Sequence, residues 1–172
     1  MKKILVSLGL FLTISFGVTL DEGLASLKKG DYKTALIIFE DLASKNNSVA
    51  LYNLGVMYNN GQGVKQDYIK AKELYKKAAD QGYAYAQYNL GIMYNNGQGV
   101  KQDYIKAKEL YEKAADQGYA QAQYNLWVLY DKGNGVNKDL LKAKELYEKA
   151  ADQGYVQAQY NLGNMYRNAK GV

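Results

Sequence analysis

Residues 84–119 read AYAQYNLGIMYNNGQGVKQDYIKAKELYEKAADQGY, and this 36-residue stretch recurs along the chain without a slipped position. Tyr52-Asn53-Leu54, Tyr88-Asn89-Leu90, Tyr124-Asn125-Leu126 and Tyr160-Asn161-Leu162 mark four copies. Asp67 to Ala71 returns as Asp103 to Ala107 and, altered, as Asp139 to Ala143. The register holds upstream, where Asp31-Tyr32 and Ala35 stand 36 residues before Asp67-Tyr68 and Ala71. A fixed period of this length is the signature of a repeat architecture, in which one small unit is stacked on copies of itself.

The unit itself reads as two helices. Ala86, Leu90, Met93 and Tyr94 fall on one face of a first helix over 84–96. Gly97-Gln98-Gly99 ends it, because two glycines in three residues favour a turn with positive φ. Asp103 is placed to cap a second helix, its carboxylate accepting from the first-turn N–H groups. That helix carries Ala107, Leu110, Tyr111, Ala114 and Ala115 at i, i+3, i+4, i+7 and i+8, a single apolar stripe. Its opposite face offers Glu109–Lys113 and, one repeat on, Glu145–Lys149 as i,i+4 pairs. Gly118 follows the helix end, where a left-handed residue is wanted.

One hairpin cannot bury its apolar stripe, whereas stacked copies can. The expected fold is therefore all-α, a right-handed α-solenoid of antiparallel helix hairpins with a 36-residue repeat and one concave wall. The repeats fall at about 21–47, 48–83, 84–119 and 120–155, with a partial copy at 156–172. Residues 21–172 thus form one repeat domain.

Composition excludes much chemistry. The chain has no cysteine and no histidine, so it has no thiol nucleophile, Ser-His pair, Cys/His metal site or disulfide. No catalytic residue, metal ligand or cofactor is read from it. The net charge of +5 falls to about +3 without Lys2 and Lys3, and it is too scattered to suggest nucleic acid. Stability must come from packing.

The N-terminus has a different character. Met1-Lys2-Lys3 gives a basic start, Ile4 to Leu20 runs apolar, and Asp21 and Glu22 follow. This is the pattern of a secretory signal peptide over residues 1–17, cut before Val18. Gly23-Leu24-Ala25 is a second cutting position. An uncleaved anchor is the alternative, although 17 apolar residues fall short of the roughly 20 that span a bilayer. The expected location is periplasmic or secreted, in a bacterium, with no stable membrane insertion after cleavage.

The repeat resembles the Sel-one-like repeat family, a relative of the tetratricopeptide repeat. The family pattern is met by Ala86, Leu90-Gly91, Met93-Tyr94, Gly97, Gly99-Val100, Asp103, Lys106-Ala107, Tyr111, Lys113-Ala114-Ala115 and Gly118. The resemblance implies a non-enzymatic adaptor that binds a protein or peptide partner. It extends to cysteine-rich repeat proteins of Helicobacter, which implies β-lactam hydrolysis as an alternative, but this chain lacks their cysteines. Ser26 and Lys29 have the Ser-x-x-Lys spacing of β-lactamases, a four-residue coincidence without the accompanying motifs.

In tetratricopeptide-like solenoids the first helices line the concave groove. The candidate binding residues are therefore Tyr52, Asn53, Tyr88, Asn89, Ile92, Asn95, Tyr124, Asn125, Val128 and Asp131. Tyrosine rings give contact area and amides can bond a peptide backbone. The same tyrosines could instead pack between neighbouring first helices, and the asparagine ladder could form bonds between repeats. Trp127 stands where the other repeats have Gly55, Gly91 and Gly163; it reads as a packing adjustment or a ligand-facing anchor. The sequence stops at Gly171-Val172, which match Gly99-Val100, so the last first-helix has no second helix. That leaves two expectations: a fragment of a longer array, or self-association through an uncapped C-terminal end.

Overall fold

The computed structural model describes residues 18–167, and both the expected leader at 1–17 and the terminal Gly171-Val172 lie outside them. Nine helices are formed among the described residues, with no strand. They are α1 (Leu20–Lys29), α2 (Tyr32–Ser44), α3 (Ser48–Asn60), α4 (Tyr68–Asp80), α5 (Ala84–Asn96), α6 (Tyr104–Ala115), α7 (Ala120–Lys132), α8 (Leu140–Asp152) and α9 (Val156–Arg167). Each helix packs mainly on the one before it and the one after it, so the chain is an all-α solenoid.

The ends of the helices follow from single residues. Asp31, Asp67, Asp103 and Asp139 each accept the backbone N–H three positions on, at 2.9–3.2 Å. Each such cap is worth about 1 kcal/mol. The same bond holds the Asp103 carboxyl below its usual range. Gly61, Gly97 and Gly133 close the first helices in the left-handed region, with φ of 68–72°.

The second glycine of each turn does something the turn alone does not require. Gly99 has φ +64°, and a Cβ there would lie 2.8 Å from the Tyr68 Cβ of the previous hairpin. Gly63 meets Tyr32 and Gly135 meets Tyr104 in the same way, at 2.9 and 2.7 Å. The turn is thus also the point where one repeat rests on the last.

Alanines let the helices approach: Ala50, Ala71, Ala86, Ala107, Ala122 and Ala143 are fully buried. Between them Tyr75, Tyr111 and Tyr147 of the second helices are buried whole, each contributing a few kcal/mol, about 1.5–3 by area. The rings of Tyr75 and Tyr111 rest on Gly55 and Gly91, where a Cβ would come within 2.8 and 2.7 Å of ring carbons. That is why glycine recurs mid-helix.

Trp127 breaks this rule and stacks on the Tyr147 ring instead, with centroids 3.9 Å apart and planes at 25°. Both polar atoms, Trp127 Nε1 and the Tyr147 hydroxyl, are buried without a hydrogen-bond partner among the described residues. Trp127 therefore acts as packing at the α7–α8 contact.

The outer-face ion pairs differ from expectation. Among the pairs that form on the second helices are Lys76–Asp80, Lys108–Glu112 and Lys144–Glu148, at 2.6, 3.0 and 3.8 Å, and Lys142–Glu145 at 3.3 Å. Glu109–Lys113 and Glu145–Lys149 are not among the ion pairs of the described residues. Solvated side chains four apart have several partners of similar energy, and each pair is worth little.

Candidate binding surface

Five of the ten candidate residues take part in bonds that join one repeat to the next. Asn89 Nδ2 donates to the Tyr52 hydroxyl at 3.3 Å, Asn125 to Tyr88 at 3.4 Å, and Asn161 to Tyr124 at 3.3 Å. Asn53 is buried and donates within its own helix, to the Val49 carbonyl at 2.8 Å. The asparagine ladder is therefore formed by bonds between repeats, one of its two sequence-level readings.

The tyrosine rings are fixed from several sides. Tyr52 lies against Tyr75, Tyr83 and Tyr85, and Tyr88 against Tyr111 and Tyr119. Tyr124 contacts Trp127, Tyr147 and Tyr155. Burial pushes the Tyr52 and Tyr88 phenols up, against a smaller opposite effect from Asn89 and Asn125. Burial likewise carries Tyr119 up to about 12.

Ile92, Asn95, Val128 and Asp131 remain half-buried on the same side of their helices. Asn95 spends its amide on its neighbour Asn96, at 2.8 Å, and its carbonyl accepts from Gln102. Tyr85 was not singled out from the sequence, although it stands one turn before Tyr88. Tyr85 is 46% exposed, and its ring lies tilted against those of Tyr52, Tyr83 and Tyr119. It borders a cleft of about 350 Å3 shared with Tyr119, Gln121, Gln153 and Tyr155.

A second polar ladder also escaped the sequence reading. Gln87 and Gln123 are each only 5% exposed, and donate to the Ala79 and Ala115 carbonyls at 3.3 and 3.4 Å. Their side-chain oxygens accept from Gln117 and Gln153 at 2.8 and 2.9 Å. The signal was present, a glutamine repeating every 36 residues among apolar neighbours. It satisfies the carbonyls at the ends of the second helices.

The Ser-x-x-Lys spacing acquires no chemistry. Ser26 and Lys29 lie on α1, and Lys29 is exposed, so the buried lysine that the mechanism needs is missing. No metal-binding cluster exists among the described residues.

The family model described as Sel1 repeat matches residues 48–83, 84–119, 120–155 and 156–172. The chain belongs to the Sel1 repeat family. It is similar to a Sel1 repeat protein from Oxalobacter formigenes, with 32% identity and a TM-score of 0.83 over 90% of this chain and 63% of that one. It is also similar to a protective antigen of uropathogenic Escherichia coli that displays an SLR fold, with 33% identity and a TM-score of 0.79. That match covers 88% of this chain and 35% of the antigen, so this chain spans less than two thirds of either relative. Helicobacter pylori cysteine rich protein B is 27% identical, with a TM-score of 0.60 over 85% of this chain and 99% of that one. No curated protein matches the sequence.

Sel1 repeats, like the tetratricopeptide repeats they resemble, are generally protein-interaction scaffolds. On α5 of this Sel1 chain Tyr85 is exposed, and Ile92 and Asn95 are half-buried. Bonds between repeats engage Tyr52, Tyr88, Asn89, Tyr124 and Asn125.

Proposed function

We propose that this chain is an exported, non-catalytic adaptor that holds a protein or peptide segment against the first-helix surface. The observation that supports it is Tyr85: a large aromatic half in solvent, yet fixed by three other tyrosines. Such a ring gives contact area without an ordering cost, the property of interface anchors. Ile92 and Asn95 extend the surface about two and three turns further along the helix, and Val128 and Asp131 repeat it on α7.

Export rests on the leader pattern of residues 1–17. Cutting before Val18 keeps Thr19, whose hydroxyl accepts from Glu22 N–H while Glu22 returns the bond to Thr19 N–H. Cutting after Ala25 would remove half of α1 and with it Gly23, which is buried against Phe39. These contacts support the first position. No helix of the described residues is long and apolar enough to cross a membrane.

The test is recovery of a partner by tagged full-length chain from the producing cell, beside a Tyr85→Ser/Ile92→Ser version. Loss of one specific partner with unchanged helical signal supports the adaptor reading. Equal recovery by both versions removes the first helices from consideration.

A further inference from the structure

Two clefts on the edge formed by the glycine turns are copies of one another. One, of about 690 Å3, is walled by Lys108, Tyr130, Val136, Lys138, Asp139 and Leu141. The other, of about 600 Å3, has Lys72, Tyr94, Val100, Gln102, Asp103 and Ile105 at the positions 36 residues earlier, joined by Lys101 and Lys106. Gly135 lies at the rim of the second cleft and in the turn that carries Val136 of the first. The clefts are neighbours along the turn edge.

Their chemistry is cationic and aliphatic together. Ile105 and Leu141 are 60% and 70% exposed in the first turn of their helices, and Ile69 occupies the same register at 59%. One exposed aliphatic side chain is ordinary, but three in register form a stripe that water does not favour. Around the second cleft stand three lysines and one carboxylate. Asp103 caps the Lys106 N–H with one oxygen and meets Lys106 Nζ at 3.4 Å with the other. Lys106 Nζ also sits 5.3 Å from the centre of the Tyr94 ring. Lys72 and Lys101 make no ion pair among the described residues. In the first cleft Lys108 is engaged with Glu112 at 3.0 Å, and Lys138, at the register of Gln102, makes no ion pair among the described residues.

We infer that this turn edge docks an acidic peptide segment. Its carboxylates meet Lys72, Lys101 and Lys138, and its aliphatic or aromatic side chains cover Ile105 and Leu141. A nucleic acid would use the lysines but leave the aliphatic row in water, so the combination favours a peptide. This surface is separate from Tyr85 and Ile92 and stands or falls independently of them.

The full chain is titrated with a labelled peptide that alternates glutamate pairs with single leucines. Lys101→Glu/Lys138→Glu and Ile105→Ser/Leu141→Ser change exposed positions, and circular dichroism checks that both variants fold. The expected result is binding that weakens with added salt and drops about tenfold or more in each variant. Tyr85→Ser should leave it unchanged. The inference is overturned if the peptide does not bind, or binds both edge variants as tightly. A loss caused by Tyr85→Ser, or an oligonucleotide that binds as well and ignores Ile105→Ser/Leu141→Ser, would overturn it equally.

Discussion

The side-chain amide of Asn125 donates to the hydroxyl of Tyr88, 37 residues earlier in the chain, at 3.4 Å. The bond joins α7 to α5 and is repeated by Asn89–Tyr52 and Asn161–Tyr124. Residues that suit a ligand by their chemistry are thereby committed to the neighbouring repeat.

The length of these bonds puts them at the weak end of the range. Tyr88→Phe should cost only about 0.5–1 kcal/mol in urea denaturation, the net worth of one such bond. Tyr88→Ala also removes the ring contacts to Tyr111 and Tyr119 and should cost about 3 kcal/mol or more. Tyr85→Ser, at an exposed position, should stay within about 1 kcal/mol.

Glycine positions should separate into two classes under substitution by alanine. Gly118 has φ +82° with open space around it, so Gly118→Ala should cost about 1–2 kcal/mol from backbone strain alone. Gly99→Ala adds a clash with the Tyr68 backbone at 2.9 Å and should be clearly worse, losing the contact between hairpins. Thermal unfolding of the two variants side by side checks the order.

The Tyr147 hydroxyl is buried with no partner among the described residues, so removing it relieves a desolvation cost. Tyr147→Phe should be neutral or stabilising by up to about 1 kcal/mol. Trp127 is the single tryptophan and stacks on that ring, so its fluorescence reports the transition directly.

Alkaline pH should unfold the chain in a defined window. Burial pushes the Tyr75, Tyr111 and Tyr147 phenols well above their ordinary value of 10. A raised phenol keeps its proton when folded and loses it when unfolded, so stability is full below pH 10 and falls above it. Each of the three should remove about 1.4 kcal/mol per pH unit there. The part of the tyrosinate absorbance that comes from these three buried phenols should rise together with loss of helical signal, not before it.

Much of the fold was legible because its signals are local. Asp103, Gly97 and Gly118 fix helix ends through bonds and φ values within a few residues, and α5 spans the stretch the spacing predicts. What was not legible depends on residues one period away. Whether Asn89 faces a ligand or Tyr52, and why Gly99 follows Gly97 so closely, are decided by how hairpins stack. The turn-edge clefts were missed for the same reason, since Lys72 and Lys101 belong to different hairpins. Glu109 and Lys113 were paired wrongly because spacing alone does not choose among solvated rotamers.

The most direct test of a binding surface on the first helices is a photo-crosslink from it. A benzophenone-bearing residue replaces Tyr85 in one version of the chain and Glu73, exposed on the second-helix face, in another. Both are irradiated in the producing cell. The account predicts one discrete protein adduct from position 85 and none from position 73. No adduct at 85, or the same set of adducts from both positions, would contradict it.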